Sequence, residues 1–342
     1  MKKFSFGAGR AVGFDLGSYE SLVSVRNGET TLREPSVVAI DAKTKRVLAA
    51  GNEADEMLGR TPENINAIRP VRGGVIAELQ PCAAMIKTFL KKSDARSAVI
   101  KPRVGVAVPS GITEVERRAV LEAFTAAGAG SVTLIEEAVC AALGAGVDVC
   151  APRGTMVVCI GAGTVEAAVM SLGGIVCERS VRVAGNAMNE AIASYIKREY
   201  SITVGEKTAE KIKHEIGSAQ SYADEDGFDV KGRETATGLP KNVRITAAQV
   251  RGAMADAVSC IVNAVLDTLE ETPPELAGDI LSDGIVLVGG GAYIRGIDNV
   301  IEEATGISVR IAGAPAECVC QGARIALTTP AILRRSALAA AR

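Results

Sequence analysis

Tryptophan is absent from this 342-residue sequence, and other aromatic residues are few, with six Phe and five Tyr. Histidine is nearly absent too. The one histidine, His214, excludes a metal site built from several imidazoles and argues against a Ser-His-Asp hydrolase. The apolar residues are mainly Ala, Val, Ile and Leu. This composition is typical of buried parallel strands covered by closely packed helices.

Basic patches, paired cysteines and long apolar runs are also missing. The formal net charge is −2 and the basic residues are scattered, which argues against nucleic acid as a partner. None of the eight cysteines forms a CxxC pair, and most lie in apolar runs, so we expect reduced thiols in the cytoplasm. No uncharged stretch reaches the roughly 18–20 residues that span a bilayer, and the N-terminus lacks the apolar core of a secretory signal. We therefore expect a soluble protein that at most associates peripherally with the cell membrane.

Strands and helices alternate along the first half of the chain, which predicts a parallel α/β sheet. Thr113 and Glu116 have the spacing of a capping box at the start of one helix. In this half the predicted strands are 11–14, 22–26, 36–40, 104–108 and 132–135, and the predicted helices are 52–58, 78–92, the one that follows Thr113 and an Ala-rich one after Glu137.

The pattern restarts in the second half. The predicted strands there are 156–160, 167–170, 285–288 and 308–311, and the predicted helices are 189–199, 206–216, 247–269, 297–303 and one from about 315. A polar connection is predicted from SAQSYADEDGFD to GLPKNVRIT.

Two segments about 145 residues apart, VGFDLGSYESLVSV and MVVCIGAGTVEAAVM, share a layout of apolar strand, glycine turn with a hydroxyl, and apolar strand. We interpret them as an internal duplication that opens each of two lobes, with chance similarity as the alternative. The chain is also longer than one typical domain of roughly 100–200 residues. The predicted first lobe is 1–145 plus 320–342, with a small insertion at about 31–77. The predicted second lobe is 146–319, with an insertion at about 186–245.

The two glycine turns carry residue types that hold a polyphosphate. Glycine lets successive backbone N–H groups point into one concavity, and the hydroxyls of Ser18, Ser21 and Thr164 can add hydrogen bonds. Asp15, at a strand end, is a candidate to hold a water of phosphate-bound Mg²⁺. Glu137, just past another strand, is a candidate to orient an attacking water. Each feature alone has a plainer interpretation, since a glycine turn is usually only a turn and such a Glu is usually a solvated cap.

Longer stretches of the sequence resemble MreB and its close paralogues, the bacterial actins of the actin, sugar-kinase and heat-shock-chaperone superfamily. They lie between about residues 12 and 325 and are REPSVVAI, GRTPENINAIRPVRGGVIAE, VERRAV, LIEEAVCAALGAG, GEKTAEKIKHEIGSA, PPELAGDI and LVGGGAYIRGID. The resemblance implies an α/β, actin-like (ribonuclease-H-like) duplicated two-lobe fold. It also implies ATP and Mg²⁺ in a nucleotide cleft between the lobes.

The resemblance further implies roles for particular residues. Asp15 is the expected metal site, through water, and Glu137 the expected catalytic residue. The expected nucleotide-binding residues are Asp15, Gly17, Ser18 and Ser21 in a first phosphate loop, Gly161, Gly163 and Thr164 in a second, Lys213, Glu215 and Gly217 beside the adenosine, and Gly289, Gly290 and Gly291 near the base and ribose. For Lys213 a solvated helix face is the alternative.

Both phosphate loops depart from the family's usual sequence. The family's DLGTANT is DLGSYES here (residues 15–21), so Glu20 brings a negative charge near the expected phosphates. The second loop usually begins with Asp, whereas Cys159 is a neutral thiol that cannot replace a magnesium-ordering carboxylate. Ala162 and Val165 also replace a Gly and a Thr. Because losing one electrostatic stabiliser can cost about 100-fold in rate, we expect ATP binding with slow or no hydrolysis.

The family forms filaments of identical copies under the inner membrane and guides cell-wall synthesis, so the resemblance implies self-assembly, with the cytoplasmic membrane surface and membrane proteins of cell-wall synthesis as further partners. Candidate membrane contacts are residues 2–6 (KKFSF) and 99–101 (VIK), with a disordered tail and a strand start as their alternatives.

Three function classes remain open: a filament that uses ATP as an assembly switch, a pseudo-ATPase scaffold filament, and a small-molecule kinase of the same superfamily. The kinase class has no candidate base beyond Glu137.

Overall fold

The computed structural model describes residues 9–25, 29–95, 101–222, 226–329 and 332–333. The predicted membrane contacts at 2–6 and 99–100 lie outside these ranges. The first half contains β1 (Ala11–Leu16), β2 (Glu20–Ser24), β3 (Leu32–Pro35), β4 (Val38–Asp41), β5 (Val47–Ala50), α1 (Asn52–Met57), β6 (Ile65–Ile68), β7 (Val71–Arg72), β8 (Val75–Ile76), α2 (Leu79–Lys92), β9 (Arg103–Val108), α3 (Glu114–Ala127), β10 (Ser131–Glu136) and α4 (Glu137–Gly144). The second half contains β11 (Thr155–Ile160), β12 (Val165–Ser171), β13 (Gly174–Val181), α5 (Gly185–Tyr200), β14 (Ile202–Thr203), α6 (Glu206–Ile216), β15 (Gly227–Glu234), β16 (Pro240–Thr246), α7 (Ala247–Glu270), α8 (Pro274–Asp283), β17 (Ile285–Val288), α9 (Ile297–Thr305), β18 (Val309–Ile311) and α10 (Cys318–Thr328).

Two five-stranded sheets share one topology. The first has the order β10–β9–β1–β2–β3 and the second has the order β18–β17–β11–β12–β13. In each, an antiparallel hairpin opens the sheet and two parallel strands follow on its other side. The predicted internal duplication is therefore confirmed. We call the first sheet with α1, α2 and α3 the first lobe, and the second sheet with α5 to α9 the second lobe. The residue boundaries predicted for the two lobes stay a prediction.

Helices α4 and α10 lie between the sheets and cross at very short range. A Cβ atom at Gly322 would lie 1.7 Å from the carbonyl oxygen of Cys140, and one at Gly144 would lie 1.9 Å from that of Cys318. Only glycine permits this approach. The buried cluster around the two helices takes residues from both sheets, including Ala107, Ile135, Val157, Cys159 and Val286. This helix pair is therefore the layer that joins the lobes below the cleft.

The outer face of each sheet is covered by its own helices. In the first lobe α2 and α3 bury Phe89 and Phe124, and the ring of Phe124 meets Phe14 edge-on at 4.9 Å. In the second lobe α5 and α7 pack over the sheet in a separate buried cluster. Within the described residues α7 is the one helix long and apolar enough to cross a membrane by length and composition, but it packs against β12 and β13 as a core helix does.

Each lobe also carries an added layer beside the cleft. In the first lobe it is the sheet β5–β4–β6 with α1, and in the second it is the sheet β14–β15–β16 with α5 and α6. The polar connection predicted before α7 is wrong from residue 227 onward, because 227–234 and 240–246 pair as the antiparallel hairpin of β15 and β16. In that hairpin only Val230 and Ile245 are buried, and Phe228 and Val243 pack partly against the same core. Two apolar positions on each strand make an alternation too short to reveal the strands from the sequence.

Candidate functional site

A cavity of about 330 Å³ lies between the lobes, a size within the usual range for a small-molecule site. The glycine turns after β1 and β11 face it from opposite sides, and the β17 turn and α6 close its far end. All but two of the predicted site residues line it, namely Asp15, Gly17, Ser18, Glu137, Gly161, Gly163, Thr164, Lys213, Gly217, Gly289, Gly290 and Gly291.

Ser21 and Glu215 are the two predicted residues that do not line the cavity. Ser21 is buried in β2, where its hydroxyl bonds to that of Ser36 at 2.8 Å. The Ser36 hydroxyl also lies 2.7 Å from the carbonyl oxygen of Gly17, to which it can donate, so Ser21 supports the first loop from behind. Glu215 is exposed on α6 and faces away from the cavity.

The sequence interpretation missed Glu210 on the same helix. Glu210, Lys213, His214 and Gly217 all line the cavity, and they are spaced as one face of a helix at i, i+3, i+4 and i+7. The helical period would therefore have identified Glu210 and rejected Glu215. Burial alone would raise the pKa of Glu210, but the neighbouring His214 and Tyr19 and the charge of Lys213 outweigh it, so the pKa is lowered overall. The carboxylate is thus ionised at neutral pH.

The two glycine turns approach each other closely. A Cβ at Gly163 would lie 2.5 Å from the hydroxyl oxygen of Ser18, so a side chain there would push the loops apart. The backbone N–H of Gly74 donates to the Ser18 hydroxyl at 3.0 Å, which fixes the first loop from its own lobe. The second loop is closed by a hydrogen bond from the N–H of Gly161 to the carbonyl of Thr164. These bonds use the N–H groups of Gly74 and Gly161 to hold the turns in shape, and the N–H groups of residues 162–164 in the second loop are the type of donor that suits phosphate oxygens.

Acidic groups gather at the floor of the cavity. Burial raises the pKa of Asp15 to about 7, with a further contribution from the charge of Glu20. The pKa of Glu137 is also raised well above its ordinary value. Burial is the largest cause, and the charges of Glu166 and Asp15 add to it. The thiol of Cys159 donates to Glu137 Oε1 at 3.3 Å, and burial beside Glu137 raises the pKa of that thiol well above its ordinary value. Cys159 is therefore a neutral donor.

This crowding of carboxyl groups fits a cation that arrives with a polyanionic ligand. Within the described residues, no group of three or more His, Cys, Asp and Glu side chains is arranged to hold a metal ion by itself. Asp15 and Glu137 nevertheless repel each other in the protein alone, and a divalent cation would remove that repulsion. The residues present thus fit an ion shared with phosphate oxygens and water.

Glu20 does not face the expected phosphates as an unbalanced charge. Arg33 on β3 forms an ion pair with it, from Nε to Oε2 at 2.7 Å, and both side chains line the cavity. Hydrogen bonding to Glu20 raises the pKa of Arg33. The repulsion expected from the sequence is therefore offset by a cation from the neighbouring strand.

Lys213 and the β17 turn form the opposite end of the cavity. The ammonium of Lys213 donates to the carbonyl of Gly185 at 2.9 Å. Burial lowers the pKa of Lys213, although the charge of Glu210 acts in the other direction. In the β17 turn, a Cβ at Gly291 would lie 2.1 Å from the side chain of Ile160. Glycine there lets the turn pack directly onto the second sheet and leaves its open side to the cavity.

The chain matches the protein family described as MreB/Mbl protein over residues 9–335. It is 43% identical over 318 residues to the cell shape-determining protein Mbl of Bacillus cereus, which covers 93% of this chain and 96% of that protein. It is 45% identical over 332 residues to the cell shape-determining protein MreB of Escherichia coli, which covers 96% of each.

Solved structures agree with these matches. MreB5 of Spiroplasma citri bound to AMPPNP is similar with a TM-score of 0.86 and 38% identity, over 93% of this chain and 95% of that one. The same protein bound to ADP gives a TM-score of 0.87. A MamK double helical filament subunit gives a TM-score of 0.78 at 20% identity, which shows the fold alone. The predicted actin-like, duplicated two-lobe fold is confirmed.

Proposed function

The chain belongs to the MreB/Mbl family, and we propose that it is a cytoskeletal protein that binds ATP with Mg²⁺ in the interlobe cleft and assembles with copies of itself into filaments that determine cell shape. The observation that carries this proposal is the cavity in which two glycine turns, one from each lobe, face each other across Asp15 and Glu137. The structures of Spiroplasma citri MreB5 bound to AMPPNP and to ADP support the choice of ligand.

The proposed binding mode assigns a part to each wall of the cavity. The backbone N–H groups of the first loop (17–18) and of residues 162–164 in the second loop hold the phosphates, since the N–H of Gly161 is already used within its own turn. Lys213, Gly217 and the turn 289–291 hold the base and ribose. Asp15 holds a water of the magnesium ion, which would supply charge neutralisation at the phosphates. Ser21 and Glu215 have no part in binding on this proposal, whereas Glu210 joins the nucleoside end.

Glu137 is the proposed catalytic residue, because it is the carboxylate at the floor of the cleft that can orient a water toward the terminal phosphate. Hydrolysis is proposed to be slow. Cys159 stands where a carboxylate would help to order the magnesium shell, and it donates a hydrogen bond to Glu137 instead of accepting one from water. An accepting oxygen of Glu137 is thereby occupied, which weakens its action on the attacking water.

Assembly and location follow from family membership. We place the filament in the cytoplasm, peripheral to the inner face of the cell membrane, where it would contact membrane proteins of cell-wall synthesis. The segments 2–6 and 99–101 remain the proposed membrane contacts, because basic residues beside apolar ones suit an anionic surface. The division into lobes 1–145 plus 320–342 and 146–319 remains our proposal for the domain boundaries.

The test is a pelleting assay with electron microscopy, run with ATP and Mg²⁺, with ADP and without nucleotide, while phosphate release is followed in the same samples. We expect filaments with ATP and phosphate release far slower than assembly. If equal amounts of filament form under all three conditions and no phosphate is released, the protein is a pseudo-ATPase scaffold and ATP does not switch its assembly. Fast turnover that Glu137→Ala abolishes would refute slow hydrolysis, and the absence of polymer under every condition would refute the filament.

A further inference from the structure

Arg69 lies almost fully buried where the added layers of the two lobes meet, with 8% of its surface exposed. It follows β6 in the first lobe and reaches the first loop in two ways. Its Nη1 donates to the carbonyl oxygen of Tyr19 at 3.0 Å, and its guanidinium lies 4.7 Å from the centre of the Tyr19 ring. Tyr19 itself lines the nucleotide cavity. Arg69 is therefore attached to the loop that faces the ligand.

The same guanidinium is attached to the second lobe. Its Nε donates to Glu206 Oε1 at 2.7 Å, and Glu206 is the first residue of α6. The planar fork of arginine makes both bonds possible at once, since its donors point in fixed directions. Lysine carries all of its donors on one nitrogen, so it would not reproduce these two bonds, which come from different nitrogens of the guanidinium.

A second ion pair lies beside the first. Lys207 Nζ lies 2.6 Å from Asp55 Oδ2, with Asp55 on α1 in the first lobe. The phenol of Tyr19 also faces Glu210, one turn further along α6. Burial makes the largest contribution to the raised pKa of Tyr19, and the charge of Glu210 makes the next largest. Contacts with the first lobe thus concentrate on the start of α6. We call Asp55, Arg69, Glu206 and Lys207 the interlobe strap.

We propose that the interlobe strap couples the first nucleotide loop to α6 and limits the rate at which the cleft opens, so that it sets the rate of nucleotide exchange. This inference rests on the proposed function. A nucleotide held between the lobes can leave only when they separate, and separation breaks both ion pairs of the strap. Because the strap stabilises the closed form relative to the open one, weakening it raises the entry rate and the release rate together. Arg69 acts here as a positioning residue, because it touches the loop and does not line the cavity.

Two variants weaken the strap without removing a buried side chain. Glu206→Gln removes the charge that pairs with Arg69, and Lys207→Met removes the charge that pairs with Asp55. The second lobe supplies matched controls. The control for Glu206→Gln is Glu271→Gln. Glu271 pairs with Arg179 inside the second lobe, and its side chain is 47% exposed against 45% for Glu206.

The control for Lys207→Met is Lys241→Met. Lys241 pairs with Glu234 inside the second lobe, and its side chain is 42% exposed against 40% for Lys207. Neither control pair links the lobes. A general loss of surface charge would therefore affect the controls and the strap variants alike.

The measurement is stopped-flow release and binding of a fluorescent ATP analogue, N-methylanthraniloyl-ATP, with Mg²⁺ and full-length protein kept below the concentration at which it polymerises. Each strap variant is expected to release the analogue about fivefold faster than the parent chain, the size of one favourable partly exposed ion pair. The double variant is expected to give roughly the product of the two effects if they are independent. Association is expected to accelerate with release, and Glu271→Gln and Lys241→Met are expected to stay within about twofold of the parent.

Release rates of both strap variants within about twofold of the parent would overturn the inference while leaving the proposed function intact. Equal acceleration in the controls would overturn it as well, because the effect would then not be specific to the strap. If the parent chain fails to bind the analogue at all, the proposed function fails and this inference fails with it.

Discussion

Replacing Cys159 by aspartate tests the explanation offered for slow hydrolysis. The Cys159 thiol lies 3.3 Å from Glu137 Oε1, so a carboxylate oxygen in its place would meet a second carboxylate at hydrogen-bonding distance. At an effective dielectric constant of about 20, two unit charges this far apart repel by about 5 kcal/mol. That energy corresponds to a pKa shift of roughly 3–4 units. Without a cation the pair will therefore keep one proton near neutral pH, and Mg²⁺ bound with nucleotide will release it.

Cys159→Asp should accordingly change two properties. Without Mg²⁺ the variant should unfold at a lower temperature than the parent chain, and Mg²⁺ with ATP should restore most of the loss. Phosphate release at saturating ATP should rise by about 100-fold, the usual effect of one electrostatic stabiliser of a transition state. The assays are thermal unfolding in EDTA and in Mg²⁺ with ATP, and continuous detection of released phosphate.

Cys159→Asn is the matched control, because asparagine has nearly the shape of aspartate and no charge. It should hydrolyse no faster than the parent chain, and adding Glu137→Gln to Cys159→Asp should return the rate to background. Equal hydrolysis by the Asp and Asn variants would refute the reasoning, since the added charge would then be irrelevant. A parent chain that already hydrolyses as fast as Cys159→Asp would refute it as well.

Three further predictions follow from single contacts. Arg33→Ala leaves Glu20 unpaired beside the phosphates and should weaken ATP binding by about tenfold in a titration, whereas Arg33→Lys should weaken it less. Glu166 is buried, and burial raises its pKa from 4.5 to about 7. The folded state therefore holds this proton more tightly than the unfolded state. The resulting contribution to the free energy of unfolding, up to about 3 kcal/mol, is present at low pH and is lost as pH rises toward 7. Glu166→Gln should flatten that part of the pH dependence in chemical denaturation, and an unchanged slope would contradict the assignment. Gly322→Ala should destabilise the chain by about 1–3 kcal/mol through overpacking of the helix crossing, whereas Gly278→Ala, with open space around its Cβ position, should stabilise by up to about 1 kcal/mol.

Local patterns were sufficient for most of the fold. The helix 206–216 and the strand 285–288 have the predicted bounds, and the capping box of Thr113 and Glu116 is present. The elements that were missed lack an apolar pattern. Strand β13 lies at an edge and is only partly buried, and α8 buries only Ile280. A periodic apolar pattern arises because one face of an element is buried, so the pattern is weak where an element is half exposed.

The site was predicted less completely, and for a different reason. Glycine turns, hydroxyls and strand-end carboxylates are local features, and those of the two loops line the cavity apart from Ser21. Contacts between residues far apart in sequence have no local signal. Arg33 neutralises Glu20 across two strands, and Arg69 meets Glu206 at a separation of 137 residues. The first pair becomes visible only when β2 and β3 are placed side by side, and the second only when the lobes are placed together.

The two departures that change the charge of the phosphate loops, Glu20 and Cys159, have opposite consequences once their partners are known. Glu20 adds a negative charge, but Arg33 balances it at 2.7 Å, so the wall proposed to bind the phosphates gains no net negative charge from this pair, and nucleotide binding should survive. Cys159 removes a negative charge. Glu166, its neighbour across the β11–β12 pair, does not take over its role, because its carboxylate accepts hydrogen bonds from Ser180 and Ser110. On the proposed function, the loss would therefore act on the magnesium shell and the attacking water, both of which matter chiefly in the transition state. A chain built in this way should separate nucleotide binding from nucleotide turnover. Its filaments would then respond mainly to how quickly the cleft opens and exchanges ligand.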